Sequence, residues 1–213
     1  MRRRRNRSVI ALRARAAMLD AVPLAPTPRA PLLSRVALFG ILYAGLALVG
    51  VGWGALRGHP DVLRWPGAEW SPARSATGMA AGVGFGLLVV FASRYGVHRF
   101  QWARRLHQEF RHLLGPLSTG ETLLIALFSS VGEECFFRGA LAPHLGPWIA
   151  SGLFALVHIG PGVRFWPWTA TSFLIGLAMS FLFLQFGDLG GPIAAHFTIN
   201  LLNLRYIVSR DLS

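Results

Sequence analysis

The stretch VALFGILYAGLALVGVGWGAL, residues 36–56, holds 21 consecutive residues without a charged side chain. As an α-helix it would be about 30 Å long, which matches the hydrocarbon thickness of a bilayer. The apolar core of a signal peptide is shorter, about 7–15 residues, and lies nearer the N-terminus. We therefore predict that this stretch is a membrane-spanning helix.

The composition of the whole chain agrees with a membrane protein. Of its 213 residues, 53% are hydrophobic and 14% are charged, and the mean hydropathy is +0.47. The net charge of +12 comes from arginines, nine of them in residues 1–35 and five in residues 94–111. Arginines that flank apolar runs are typical of cytoplasmic loops and not of a nucleic-acid interface, so we expect no nucleic-acid partner. One cysteine, Cys135, excludes an internal disulfide and a multi-cysteine zinc site.

The pattern along the chain predicts an all-α, polytopic transmembrane bundle of about six spans. A basic cytoplasmic arm over residues 1–35, with a short surface helix near residues 9–19, precedes N-terminal helices in residues 36–120. Within that region, residues 94–114 alternate arginine with large apolar side chains, which indicates an amphipathic helix on the membrane surface. The remaining spans fall within residues 121–208. They are predicted over residues 121–141, 148–159, 168–186 and 192–206, after two spans at 36–56 and 76–93.

Two acids, Glu133 and Glu134, lie well inside an apolar run, together with Arg138. A charge at mid-bilayer costs roughly 2.5–3.5 kcal/mol on insertion scales, so such residues need partners. Glu134 and Arg138 are four residues apart, with the acid N-terminal, which favours an ion pair on one helix. Glu133 points about 100° away and is left free to face another helix.

Three further polar residues can meet Glu133. It lies about a dozen residues before the turn expected at residues 143–147, and His158 lies about a dozen after it, so both reach a similar depth of roughly 15–20 Å. His196 and Asn200 share one face of the last helix, which starts on the same side as that turn. Four polar side chains from three helices are therefore predicted to converge in the bundle.

Several interpretations of this convergence are open. A buried polar network could simply hold the helices together. Carboxylates and histidines inside a membrane also mark transporters, although we find no internal repeat and no second carboxylate pair. A membrane scaffold or immunity protein without turnover is a third possibility, and an enzyme is the fourth.

The segments GEECFFRGAL, FALVH and HFTIN contain EExxxR, FxxxH and HxxxN on successive apolar helices. In this order they resemble the three motifs of the CAAX protease and bacteriocin-processing family, whose members include type II CAAX prenyl endopeptidases. The resemblance covers about residues 121–206. It implies an intramembrane endopeptidase that hydrolyses a peptide bond of a membrane-embedded or membrane-anchored substrate.

The resemblance also implies roles for the residues. Glu133 would activate a water as general base with help from His158, while His196 and Asn200 would stabilise the oxyanion. Glu134 and Arg138 would support the helix. The family is also described as metalloproteases, so zinc bound by Glu133, His158 and His196 is an alternative, although the HExxH spacing is absent. We favour the mechanism without a cofactor.

The arginine-only, Ala- and Gly-rich composition suggests a bacterial chain, placed in the inner membrane with a cytoplasmic N-terminus. Prenylated CAAX proteins are not expected in bacteria. The expected substrates are a bacteriocin-like peptide or a protein with a C-terminal sorting signal, as in myxosortase-type members of the family.

Overall fold

The structure, a computed structural model, describes residues 32–212, with side chains from Arg35 onward. The basic arm and surface helix predicted before residue 32 lie outside the described residues. The first helix begins at Leu32, slightly before the apolar run that predicted it.

The described residues form helices joined by loops and turns, which confirms the all-α prediction. The helices are α1 (Leu32–Leu56), α2 (Pro72–Arg99), α3 (Gln101–Leu114), α4 (Thr119–Glu133), α5 (Ala142–Val157), α6 (Trp166–Phe186) and α7 (Gly190–Ser209). A π-helical segment, Glu134–Leu141, joins α4 to α5, and a 3-10 turn, Val163–Phe165, precedes α6. The β contact found in residues 32–212 is an isolated bridge between Arg64 and Asp188.

Four stretches of the described chain are long and apolar enough to cross a membrane: Arg35–Leu56, Pro72–Arg99, Thr119–Val157 and Val163–Phe186. The chain is thus a multi-pass membrane protein, with fewer long apolar stretches than the six spans predicted. Two physical reasons account for the difference. The stretch Thr119–Val157 contains both the third and the fourth predicted spans, and it breaks at Gly146, whose φ is 82°. The last helix, α7, carries His196, Asn200 and Arg205 and is less apolar than these four stretches.

Helices α2 and α7 form the most extensive contact in the bundle, and glycines on α2 make it possible. A Cβ atom on Gly86 would lie 2.8 Å from Cβ of Thr198 and 2.9 Å from the Ala195 carbonyl oxygen. Gly78 faces the ring of Phe186 at a similarly short distance. Small residues allow this close approach of helices in a lipid environment, and they fix α7 against α2.

Segments at the two ends of the bundle hold the helices in place. At one end the loop after α1 pairs with the turn between α6 and α7, since the Trp65 N–H donates to the Gly187 carbonyl at 2.9 Å. At the other end α3 is attached to the end of α7, where Arg111 donates to the Val208 carbonyl at 2.7 Å.

The predicted surface helix over residues 94–114 is divided in the structure. Residues up to Arg99 continue α2, the backbone is extended at Phe100, and the strongly amphipathic part is α3. The reason is local, because the extended backbone at Phe100 ends one helix and provides the N-cap of the next.

Candidate active site

The two acids predicted for the site lie where the helix geometry changes. Glu133 is the last residue of α4 and Glu134 is the first of the π-helical segment. The helix starts in a defined register, because Ser118 and Glu121 form a reciprocal capping box at its N-terminus. π-Helical turns are rare and are frequently found at functional sites.

Glu134 and Arg138 form the ion pair that their spacing predicts. The Arg138 Nη1 donates to Glu134 Oε1 at 3.0 Å, and both side chains are fully buried. The guanidinium also lies over the Phe154 ring at 4.2 Å from its centroid. Gly176 on α6 leaves room for it, since a Cβ there would lie 2.8 Å from Arg138 Nη2. The pair is therefore closely enclosed by α5 and α6.

The same carboxylate oxygen accepts a second hydrogen bond, from α7. Nδ1 of His196 lies 2.7 Å from Glu134 Oε1, and the His196 residue is 5% exposed. Because the partner atom is a carboxylate oxygen, Nδ1 carries the proton. Nε2 then holds a lone pair in the neutral ring and donates only when the imidazole is protonated.

Glu133 faces both histidines. Its Oε2 lies 3.8 Å from His158 Nε2 and 3.8 Å from His196 Nε2, and the residue is 8% exposed. These separations are longer than direct hydrogen bonds and are of the kind that water bridges in proteins. Among the described residues no group donates a hydrogen bond to this buried oxygen. Glu133 is thus the carboxylate without an arginine partner, as its position on the helix predicts.

His158 is held at the end of α5 by backbone and aromatic contacts. Its Nδ1 lies 2.7 Å from the Phe154 carbonyl oxygen, which can only accept, so Nδ1 donates and Nε2 is turned toward Glu133. The Thr169 hydroxyl donates to the His158 carbonyl at 2.8 Å, and the Trp168 ring packs edge-on against the imidazole. The Phe154 carbonyl and the Trp168 ring therefore fix the orientation of the His158 imidazole.

Asn200 lies on the same interface, one turn beyond His196. Its Nδ2 donates to the Ser129 hydroxyl at 2.9 Å, and Ser129 lies one turn before Glu133 on α4. The structure thus brings Glu133, His158 and His196 together at one point, with Asn200 one turn away along the same pair of helices. An amide has two N–H donors, so this contact leaves one of them for another partner.

A residue of α1 also reaches the site, which the sequence did not lead us to expect. Tyr43 packs against Gly132, the residue before Glu133, and its phenol interacts electrostatically with the Glu133 carboxylate. Tyr43 can be singled out in the sequence, because it is the one hydroxyl-bearing residue in the apolar run 36–56. Nothing in that run indicates which way the hydroxyl points, so the contact required a structure.

The zinc alternative requires Glu133, His158 and His196 to act as ligands. Within the part of the chain that the structure describes, no group of three or more His, Cys, Asp or Glu side chains is arranged to hold a metal ion. The three side chains converge, but they do not form a preformed metal site. Zinc binding stays the alternative to the mechanism without a cofactor.

Comparison with known proteins finds similarity in the same segment. Residues 116–202 match the family described as type II CAAX prenyl endopeptidase Rce1-like. The chain is also 42% identical over 93 residues to an uncharacterised protein, YpbD, of Bacillus subtilis (strain 168). That alignment covers 42% of this chain and 47% of the relative, so the chain spans about half the length of the curated relative it matches. No solved structure matches the chain.

The matched segment contains Glu133, Glu134, Arg138, His158, His196 and Asn200, the residues that carry all three motifs. The resemblance to the CAAX protease and bacteriocin-processing family is therefore confirmed for residues 116–202, the part of the chain in which the site lies.

Proposed function

We propose that this protein is an intramembrane endopeptidase that uses Glu133 to activate water. The observation that carries the proposal is the buried Glu133 Oε2, which has two imidazole Nε2 atoms at 3.8 Å and no donor of its own among the described residues. A carboxylate in this setting can accept a proton from a water held between the three atoms.

The proposed reaction has two proton transfers. A water oxygen attacks the carbonyl carbon of the scissile peptide bond while its proton passes to Glu133. The carbon–nitrogen bond then breaks, and Glu133 returns the proton to the leaving amine. His158 accepts a hydrogen bond from the same water through Nε2, because its Nδ1 is already bonded to the Phe154 carbonyl.

The developing oxyanion needs donors, and α7 provides two candidates. Asn200 has an N–H to offer in addition to the one bonded to Ser129. His196 donates through Nε2 when its ring is protonated, while its Nδ1 stays bonded to the Glu134 carboxylate. Donors placed in advance at a buried site contribute strongly to the rate. We assign Glu134 and Arg138 to positioning His196 and to supporting the helix.

An open apolar groove next to Glu133 supports a membrane-embedded or membrane-anchored substrate. Its volume is about 540 Å³, and it lies between α1 and the π-helical segment. Glu133 contributes the one ionisable side chain of its lining, which is otherwise apolar or glycine: Ile41, Leu42, Gly45, Leu46, Val49, Phe136, Phe137 and Val157. Such a groove favours an apolar peptide segment over a soluble, charged one.

Within this class, we propose that the substrate is a bacteriocin-like peptide or a protein with a C-terminal sorting signal. The proposed location is the inner membrane of a bacterium. Both proposals depend on the arginine-rich composition and on the family resemblance, and both are tested by identifying the cleaved proteins directly.

The test is a comparison of protein termini in membranes from cells that express the parent chain, Glu133→Gln or Glu69→Gln. Glu69 lies in an exposed loop away from the site and controls for loss of a carboxylate. The parent and Glu69→Gln should produce a common set of new termini in membrane proteins, and Glu133→Gln should not. Identical termini in all three strains would contradict the proposal.

A further inference from the structure

Helix α1 lies directly against the residue that precedes Glu133. A Cβ atom on Gly132 would lie 2.6 Å from the Tyr43 carbonyl oxygen and 2.8 Å from Cβ of Tyr43. A second glycine continues the contact, since a Cβ on Gly50 would lie 3.1 Å from Cα of Phe136. These two close approaches place Tyr43 beside Glu133 and leave little freedom for α1 to slide or rotate.

We infer that the Tyr43 hydroxyl donates a hydrogen bond to the Glu133 carboxylate and so acts as a positioning residue for the proposed general base. With one carboxylate oxygen held by Tyr43, the other, Oε2, stays turned toward Nε2 of His158 and of His196. The role in catalysis rests on the proposed function. The hydrogen bond itself does not depend on the proposed function, and it can be tested separately.

The chemistry of a tyrosine suits this position. A phenol supplies one O–H donor and carries no charge at neutral pH, so it orients the carboxylate without forming an ion pair that would weaken the base. Arg138 shows the contrast, since it is committed to Glu134 by a buried ion pair. The Phe39 ring stacks against Tyr43 one turn earlier on α1, with ring centroids 6.1 Å apart, and restricts the orientation of the phenol.

The first test uses dicyclohexylcarbodiimide, an apolar reagent that modifies protonated carboxyl groups in membranes. The full chain is reconstituted in liposomes, and modification of Glu133 is followed by peptide mass spectrometry in the parent, Tyr43→Phe and Tyr95→Phe. Tyr95 is 59% exposed on α2 and controls for the loss of a phenol hydroxyl. Modification of Glu133 should be about three- to tenfold faster in Tyr43→Phe, because the carboxyl group loses the hydrogen bond that holds it in place. Tyr95→Phe should match the parent.

An unchanged or slower modification of Glu133 in a folded Tyr43→Phe protein would overturn the inference. Glu134, held by Arg138, serves as an internal reference within the same peptide maps. This measurement needs no substrate, so it gives a result even if the proposed peptidase activity is wrong.

The second test measures turnover once a substrate is identified. Tyr43→Phe should lower kcat about tenfold and leave KM unchanged, since a positioning residue acts on the base and not on substrate binding. Its thermal unfolding should match that of Tyr95→Phe. A rise in KM at constant kcat would show that Tyr43 binds the substrate and would overturn the positioning role. Absence of cleavage by the parent itself would count against the proposed function and leave the labelling result intact.

Discussion

Nδ1 of His196 lies 2.7 Å from Glu134 Oε1, the oxygen that also accepts from Arg138 at 3.0 Å. One carboxylate oxygen therefore connects the first and third motifs of the site. Its contact with the imidazole determines which His196 nitrogen carries the proton and which one faces Glu133. Glu134 thus contacts a residue of the proposed machinery as well as its own helix.

Glu133→Gln should abolish cleavage and leave the fold unchanged. The substitution removes the proposed base, which contributes about 10²–10⁴-fold to the rate, and it breaks no ion pair with an arginine. Turnover and thermal unfolding of the purified variant are the measurements. A folded Glu133→Gln protein that retains activity would exclude Glu133 as the base.

Glu134→Gln should lower the free energy of unfolding, by about 3–5 kcal/mol, because it leaves Arg138 buried without its counter-charge. Unfolding in mixed detergent micelles measures the loss. Half-buried Glu109, which pairs with the exposed Arg164, gives the matched control, and Glu109→Gln should change the stability by no more than about 1 kcal/mol. Equal stability of the two variants would show that the buried pair does not stabilise the bundle.

His196→Ala and Asn200→Ala should each lower turnover by roughly 10²–10³, as expected for removal of one oxyanion donor.

Elemental analysis of active protein should find far less than one metal per chain. Histidines that bind zinc commonly donate their other ring N–H to a carboxylate or carbonyl, as His158 and His196 do, so the analysis is decisive. One zinc per chain, lost in His196→Ala and kept in Asn200→Ala, would favour the metal mechanism.

Gly132→Ala should destabilise the protein by about 1–3 kcal/mol, because its Cβ would overlap the backbone of Tyr43. Gly120→Ala is the control on the same helix, since a Cβ there meets no atom within 4 Å. It should cause no loss of stability. Thermal unfolding of the two variants measures the difference, and equal midpoints would show that α1 does not press against Gly132.

Both termini should be cytoplasmic, as the arginine distribution predicts. Reporter fusions after Arg15 and after the last residue, Ser213, test this topology, and both should report the cytoplasmic side. A signal from the opposite side at either terminus would require a different number of membrane passes.

The part of the site that follows from helix periodicity could be predicted. The four-residue spacing of Glu134 and Arg138 predicted their ion pair. Because Glu133 and His158 lie at equal distances along the chain from one turn, the sequence also predicted that they approach each other. The turn lies at Gly146, inside the predicted range, where a positive φ lets the chain leave the helix.

The remaining contacts depend on how helices rotate against one another, and an apolar helix contains little information about this. Residues 36–56 are apolar on every face, so their pattern cannot show that Tyr43 packs beside Glu133. The π-helical segment after Glu133 has no recognised pattern either. The bond between His196 and Glu134 was not predicted because Glu134 already had a partner, although one carboxylate oxygen can accept two donors.

The separation of Glu134 and Arg138 by four residues also has a consequence for the biogenesis of the protein. Their charges can neutralise each other within one helical segment while it is being inserted, before later helices have been synthesised. The segment then enters the bilayer with the cost of one free charge, Glu133, instead of three. His196 lies on α7, so the polar cluster is completed only after α7 has been synthesised.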